Sequence, residues 1–165
     1  MAAKGEGRAK TAGRSLMSRA VALLSRREHG RTELARKLAR HVEPDADPAE
    51  IERVLDTLEA QNLLSDERFA ASLTRVRASR YGDLRVARDL RDRGVAAAAT
   101  EGALQSLKGT EVARARAVWS RRFDALPANA DERGRQGRYL QTRGFTMETI
   151  RAVLAGKTGD EVDIG

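Results

Sequence analysis

The sequence has no cysteine. Disulfide bridges and thiolate metal sites are therefore excluded, which fits a reducing compartment. Proline is scarce, at three residues, and aromatic residues make up only 4 % of the chain. With so few large side chains, most core positions fall to Ala, Leu and Val, each burying modest area. That favours thin helical layers over one thick globular core. Alternating runs of β-branched or aromatic residues are missing, so nothing reads as a strand. No apolar run approaches the roughly 20 residues that a membrane span needs. Residues 1–14 are basic but hold no apolar stretch, so they do not read as a secretory signal and are expected to form a flexible basic tail.

The abundant residues are Ala, Leu, Arg and Glu, all strong helix formers, and an all-α fold follows. The formal net charge is +7. Of 31 basic residues five are Lys, which leaves 26 Arg. A GC-rich genome accounts for such an excess on its own. The planar fork of Arg also grips phosphate and carboxylate bidentately. Positive charge of this size suits nucleic acid or an acidic protein surface and does not choose between them.

Helical periodicity begins at Ser15, with Leu16, Ala20, Leu23 and Leu24 on one stripe, and Gly30 is expected to stop this helix. A short helix follows with Leu34 and Leu38 inward and Thr32 as its N-cap. After a loop over 42–48, Asp47 and Pro48 open a third helix with Ile51, Val54, Leu55 and Leu58 inward. The cycle repeats. Asp66 to Arg80 carries Phe69, Leu73 and Val76 inward, Leu84 to Arg93 carries Val86 and Leu90, and Ala96 to Leu107 is Ala-rich. It then repeats again, with Val112, Ala115, Trp119 and Phe123 on one helix, Tyr139 and Leu140 on the next, and Ile150, Val153 and Leu154 on the last. Leu38, Leu90 and Leu140 each end the stripe of a middle helix, and Arg-Gly-apolar follows the last two at Arg93-Gly94-Val95 and Arg143-Gly144-Phe145. The chain therefore reads as three tandem three-helix repeats, at 15–64, 65–109 and 110–155, forming an elongated, curved array with a second flexible tail at 156–165.

Candidate chemistry is thin. His29 and His41 each fall near a helix C-terminus, where capping or solvation explains them. Gly156-Lys157-Thr158 lacks the earlier glycine of a phosphate loop, because Arg151 stands at that position inside a helix. No nucleophile-base set or carboxylate pair stands out, so no catalytic, cofactor or metal residue is assigned. The Arg clusters are the better lead. Arg75, Arg77, Arg80, Arg85 and Arg88 gather around one turn that contains Tyr81, and Arg133, Arg135, Arg138 and Arg143 form a second group. A solvated face balanced by Asp83, Asp89 and Asp92 is the alternative. Trp119 and Phe123 sit at helical spacing and read as core in preference to a base-stacking platform, while Tyr81 is either a lid on the core or a contact.

Three stretches resemble the RecX family of recombination regulators. One is Leu64-Ser65-Asp66-Glu67-Arg68-Phe69-Ala70, followed by Arg77, Arg80-Tyr81-Gly82, Leu84-Arg85-Val86, Leu90 and Arg93-Gly94-Val95. Another is Leu24 to Leu34 with Lys37-Leu38, and the third is Arg138-Tyr139-Leu140 with Arg143-Gly144-Phe145-Thr146 and Ile150 to Leu154. The resemblance covers nearly all of 15–154. It implies three tandem three-helix repeats and a cytoplasmic regulator that binds the RecA recombinase filament on single-stranded DNA. It also implies inhibition of RecA's ATPase, strand-exchange and coprotease activities, with no cofactor. Leu34, Leu38, Phe69, Gly82, Leu90, Gly94 and Gly144 are then structural. Arg77, Arg80, Tyr81, Arg85, Arg88, Arg93, Arg138 and Arg143 are the expected contacts to RecA or DNA, made by a monomer. The alternative is a helical DNA-binding module, single- or double-stranded, that acts without RecA.

Overall fold

The computed structural model describes residues 16–157. Those residues form α1 (16–24), α2 (Arg31–Ala39), α3 (Glu50–Ala60), α4 (Asp66–Ala78), α5 (Asp83–Asp92), α6 (Ala97–Gln105), α7 (Glu111–Ser120), α8 (Ala130–Thr142) and α9 (Met147–Leu154), with no strand among them. The tails expected at 1–14 and 156–165 lie outside the described residues, apart from Gly156 and Lys157.

The helices bury their apolar faces in three separate clusters. Leu16, Ala20, Leu34, Leu38, Val54, Leu55, Leu58 and Leu64 form the first. Phe69, Ala70, Val86, Leu90, Val95 and Ala103 form the second. Ala115, Val118, Trp119, Leu140, Phe145, Ile150, Val153 and Leu154 form the third. Each cluster draws on one set of three consecutive helices, so the array of three-helix units is a direct consequence of the apolar spacing. Each fully buried Leu or Val contributes roughly 1.5–3 kcal/mol, which gives every unit a modest core.

The ends of the helices are set locally. Ser65, Asn129 and Thr146 accept from the backbone N–H three residues on, at 3.2, 2.9 and 3.3 Å, and so open α4, α8 and α9. The two Arg-Gly-apolar sequences close α5 and α8 identically. Gly94 and Gly144 take φ of +75° and +79°, the left-handed conformation that glycine adopts without strain. The following Val95 and Phe145 then donate back to Leu90 and Leu140 at 3.2 and 3.3 Å, and each apolar pair closes over the helix end.

These turns also join the units. Gly30 and Gly82, the N-caps of α2 and α5, have no capping side chain of their own. The next unit supplies the cap: Arg31 N–H donates to Asp66 Oδ1 at 2.8 Å, and Asp83 N–H donates to Glu111 Oε1 at 2.9 Å. Asp66 and Glu111 are the first residues of α4 and α7. The Gly turn of the next unit closes the same contact from the other side. A Cβ on Gly94 would lie 2.5 Å from Thr32 Oγ1, and one on Gly144 would lie 2.4 Å from Arg85 Cβ. Between the second and third units the contact is backbone on backbone. Gly82 N–H donates to Arg143 C=O at 2.9 Å and Leu84 N–H to Gly144 C=O at 3.2 Å.

Several local expectations change. Gly30 opens α2 instead of ending α1, since the ring of Phe69 would be 2.9 Å from any Cβ there. Thr32 is consequently not the N-cap but a first-turn residue packed on Gly94. Val76 is 67 % exposed. The buried stripe of α4 runs Ala70, Thr74, Ala78, because α4 packs closely on the Ala-rich α6 and only small side chains fit there. His29 is buried. Its Nδ1 lies 3.0 Å from Arg27 C=O, which fixes the proton there and leaves Nε2 to accept from Lys37 Nζ at 2.9 Å. Burial first, and then the charges of Arg27 and Lys37, lower its pKa.

The junction predicts opposite outcomes for two glycines. Gly144→Ala should destabilise the protein by more than about 2 kcal/mol, through left-handed strain and collision with Arg85. Gly102→Ala, in the interior of α6 with open space around its Cα, should stabilise it by about 0.5–1 kcal/mol. Urea denaturation of the two variants checks both signs.

Candidate functional site

The first Arg cluster is organised by one buried acid. Asp89 on α5 is buried and pairs with Arg77 Nε at 3.1 Å and Arg85 Nε at 3.3 Å. Both guanidinium groups lie 5.4 Å from the centroid of the Tyr81 ring. Arg93 Nη1 donates to Asp89 C=O at 2.9 Å. Tyr81 itself packs half-buried on the second core, held by a turn whose N–H donates to Arg77 C=O at 3.0 Å. Arg77, Tyr81, Arg85 and Arg93 are therefore one clasp around Asp89, with the arginine side chains still partly exposed.

Arg80 and Arg88 are different. Both are exposed. Arg80 has no ion pair among the described residues, and Arg88 reaches Asp92 only at 4.0 Å between two exposed side chains. A cavity of about 350 Å³ opens beside the turn, lined by Arg75, Val76, Arg77, Ser79, Arg80 and Tyr81. Three arginines line it beside the exposed Val76, one of them, Arg77, already held on Asp89, a surface that suits phosphate or carboxylate next to an apolar group.

The junction brings part of the second cluster to the first. Arg143 gives its carbonyl to Gly82, and its guanidinium stands 3.8 Å from the centroid of Tyr139. Gly144 beside it abuts Arg85. Arg138 is not part of this face. It lines a separate groove between α8 and α9, with Arg133, Gly137, Met147 and Arg151.

Sequence reading missed Asp89 as the organising acid and gave no role to Arg114. Arg114 donates to the carbonyls of Ala78 and Tyr81 at 3.2 and 3.0 Å and pairs with Asp83. Burial outweighs the Arg114 guanidinium and pushes the Asp83 pKa up, and the nearby Glu111 carboxylate adds to the rise. Helical spacing places Arg114 on its own helix, and only the docking of the third unit reveals its partners. Among the described residues no three potential metal ligands cluster, and no helix is long and apolar enough to cross a membrane.

Known proteins of the same kind exist. Residues 110–154 match the model of the RecX third three-helix domain and residues 65–104 that of the RecX second three-helix domain. The regulatory protein RecX of Leptothrix cholodnii is 48 % identical over 140 residues, 85 % of this chain and 87 % of its own length. That of Ralstonia nicotianae is 44 % identical over 142 residues, 86 % and 87 % of the two chains. The crystal structure of RecX from Lactobacillus salivarius superposes with a TM-score of 0.75 at 18 % identity, covering 89 % of this chain and 97 % of that one, which shows a shared fold.

The arginines of the face divide by what they hold. Arg80→Ala, Arg88→Ala and Arg138→Ala should each leave stability within about 0.5 kcal/mol of the parent. Asp89→Ala should cost about 2 kcal/mol or more, because the half-buried Arg77, the more exposed Arg85 and Tyr81 lose a buried anchor. Thermal and urea unfolding of the four variants measures the difference.

Proposed function

The chain belongs to the RecX family of regulatory proteins, and on that premise we propose that it binds the RecA recombinase filament on single-stranded DNA and inhibits its ATPase, strand-exchange and coprotease activities. The reading assigns no catalytic step to this chain, and places a monomer in the cytoplasm at work by binding alone. The observation that carries it is the face built at the junction of the second and third units. There Arg77, Tyr81 and Arg85 are clasped on Asp89, while exposed Arg80 has no ion pair among the described residues and exposed Arg88 reaches only Asp92, at 4.0 Å. A preformed cationic surface loses little side-chain entropy on binding. A net charge of +7 speeds its encounter with a filament that carries polyanionic DNA. Because the face lies on the second unit where the third is joined to it backbone to backbone, it engages neighbouring filament subunits with both units docked behind it. Bridging of that kind blocks subunit addition, locks the filament or bars a DNA strand.

The test is ATP hydrolysis by RecA filaments on single-stranded DNA, followed after adding this protein well below the RecA concentration. A progressive fall is expected. The combined Arg80→Ala and Arg88→Ala variant should need about ten times more protein for the same fall, since losing two charged contacts at an interface costs about 1.4 kcal/mol or more. Unchanged hydrolysis even at equimolar protein overturns the filament reading. The chain would then be a DNA-binding module acting without RecA, and would bind DNA alone with log affinity falling about 0.9 per phosphate contact against log salt.

A further inference from the structure

The third unit holds a cavity that the Arg face does not use. It measures about 440 Å³ and opens between residues 122–125, just after α7, and one side of α8 from Glu132 to Tyr139. Its walls include Arg122, Phe123, Asp124, Arg135, Gln136 and Tyr139. The chain has one Trp, two Tyr and three Phe, and Trp119, Phe123 and Tyr139 meet at this corner. Their burial differs. Trp119 is core, with its ring N–H donated to Gln136 Oε1 at 2.8 Å. Phe123 and Tyr139 are only half-buried, edge to face at 5.2 Å between centroids. Trp119 lies within the third core as expected, and Phe123 packs against that core partly buried, with its remaining surface toward the cavity.

The polar groups of the cavity fall into two sets. Gln136 is spent: besides accepting from Trp119 it donates to Ala125 C=O at 3.1 Å and so fixes the loop wall. A Glu132 oxygen is spent on Ala128 N–H. Arg122 and Arg135 are not. Their guanidinium carbons lie 5.9 and 5.8 Å from the centroid of Phe123, and neither has a carboxylate partner among the described residues. Asp124 likewise accepts no hydrogen bond there. The cavity thus offers the rings of Phe123 and Tyr139, two guanidinium groups that lie loosely over Phe123 without a carboxylate partner among the described residues, and a carboxylate able to accept from an exocyclic amine.

We infer that this cavity binds a nucleobase, stacked on Phe123, with its phosphate held by Arg122 and Arg135. Each part of such a ligand meets a part of the site. A bare phosphate leaves the rings unused, and an apolar peptide leaves the arginines unused. The base must be unpaired to enter, so the ligand is a nucleotide of a single strand or a free nucleotide. Stacking accepts any base, because every base has a π face. The inference does not rest on the filament reading.

Trp119, whose ring centroid is 6.3 Å from that of Phe123, is a built-in reporter. The full-length protein is titrated, without RecA, with a short thymidine strand, an abasic strand of equal length and ATP. Anisotropy and Trp119 emission are followed together. The thymidine strand should bind about fivefold or more tighter than the abasic one, from stacking of one base, and should shift Trp119 emission. Phe123→Leu, checked by circular dichroism for unchanged helicity, should abolish both differences, and Phe123→Tyr should keep them. Arg135→Gln should lower the salt slope of strand binding by about 0.7. A shift with ATP and not with the strand also supports the site and names the free nucleotide as its source. Equal binding of thymidine and abasic strands, with Trp119 emission unmoved by either strand or by ATP, overturns the inference. Because RecA is absent, that result leaves the filament reading standing.

Discussion

Between the second and third units, Gly82 and Gly144 bring two backbones into contact, and no other residue type fits either position. A side chain on Gly82 would meet the carbonyl carbon and oxygen of Gly144 at 2.4 and 2.3 Å, and one on Gly144 would meet Arg85. The close approach lets Gly82 and Leu84 donate into the Arg143–Gly144 turn and lets Glu111 cap α5 from outside its unit. Glu111 also receives Thr146 at 2.7 Å and Thr149 at 2.5 Å, so one carboxylate ties α7, α9 and α5 together. Arg114 closes the junction from the opposite side by holding Asp83 and two carbonyls of the preceding turn. Small units with thin cores become a single object because these contacts are directional and cannot slide.

The proposed binding face is defined by which arginines the fold consumes. Arg31 is consumed by Glu52, Asp56 and Glu59 of α3, at 2.6, 2.7 and 2.7 Å, and Arg114 by the junction. Arg77, Arg85 and Arg93 are held on Asp89 but stay partly exposed. Arg80 and Arg88 stand in solvent. Charge that stays free on a rigid scaffold is available to a polyanion without prior reorganisation. The total of +7 therefore says less than the distribution, in which the free cations gather beside Tyr81 and around the Phe123 cavity.

The helices were readable because their signals are local. Leu38, Leu90 and Leu140 mark the middle helices, and Gly94 and Gly144 mark their ends with a conformation that only one residue type adopts easily. Asn62, at φ +57°, closes α3 by the same left-handed turn, with Leu63 N–H donating to Leu58 C=O at 2.9 Å. The errors arose where a neighbouring unit overrides local preference. Thr32 is a better N-cap than Gly30 in isolation, but Asp66 caps from the next unit and moves the helix start. Val76 belongs to the apolar stripe by spacing, yet the close packing of α4 on α6 rotates it outward. His29 was misplaced because nothing in its neighbours announces burial. At the candidate face, arginine identity was legible and arginine state was not, since Asp89 sorts them only once α4 and α5 have packed.

Whether the units behave as one body is the claim on which both the bridging mechanism and the shared face depend. Trp119 is the chain's one tryptophan and reports the third unit alone, while far-ultraviolet circular dichroism reports every helix. Equilibrium urea unfolding followed by both probes on the same samples is the most direct measurement. Units locked by their backbones should give superimposable transitions with a single midpoint. A Trp119 transition clearly separated from the loss of helicity would show that the units do not unfold as one, and would contradict the rigid array.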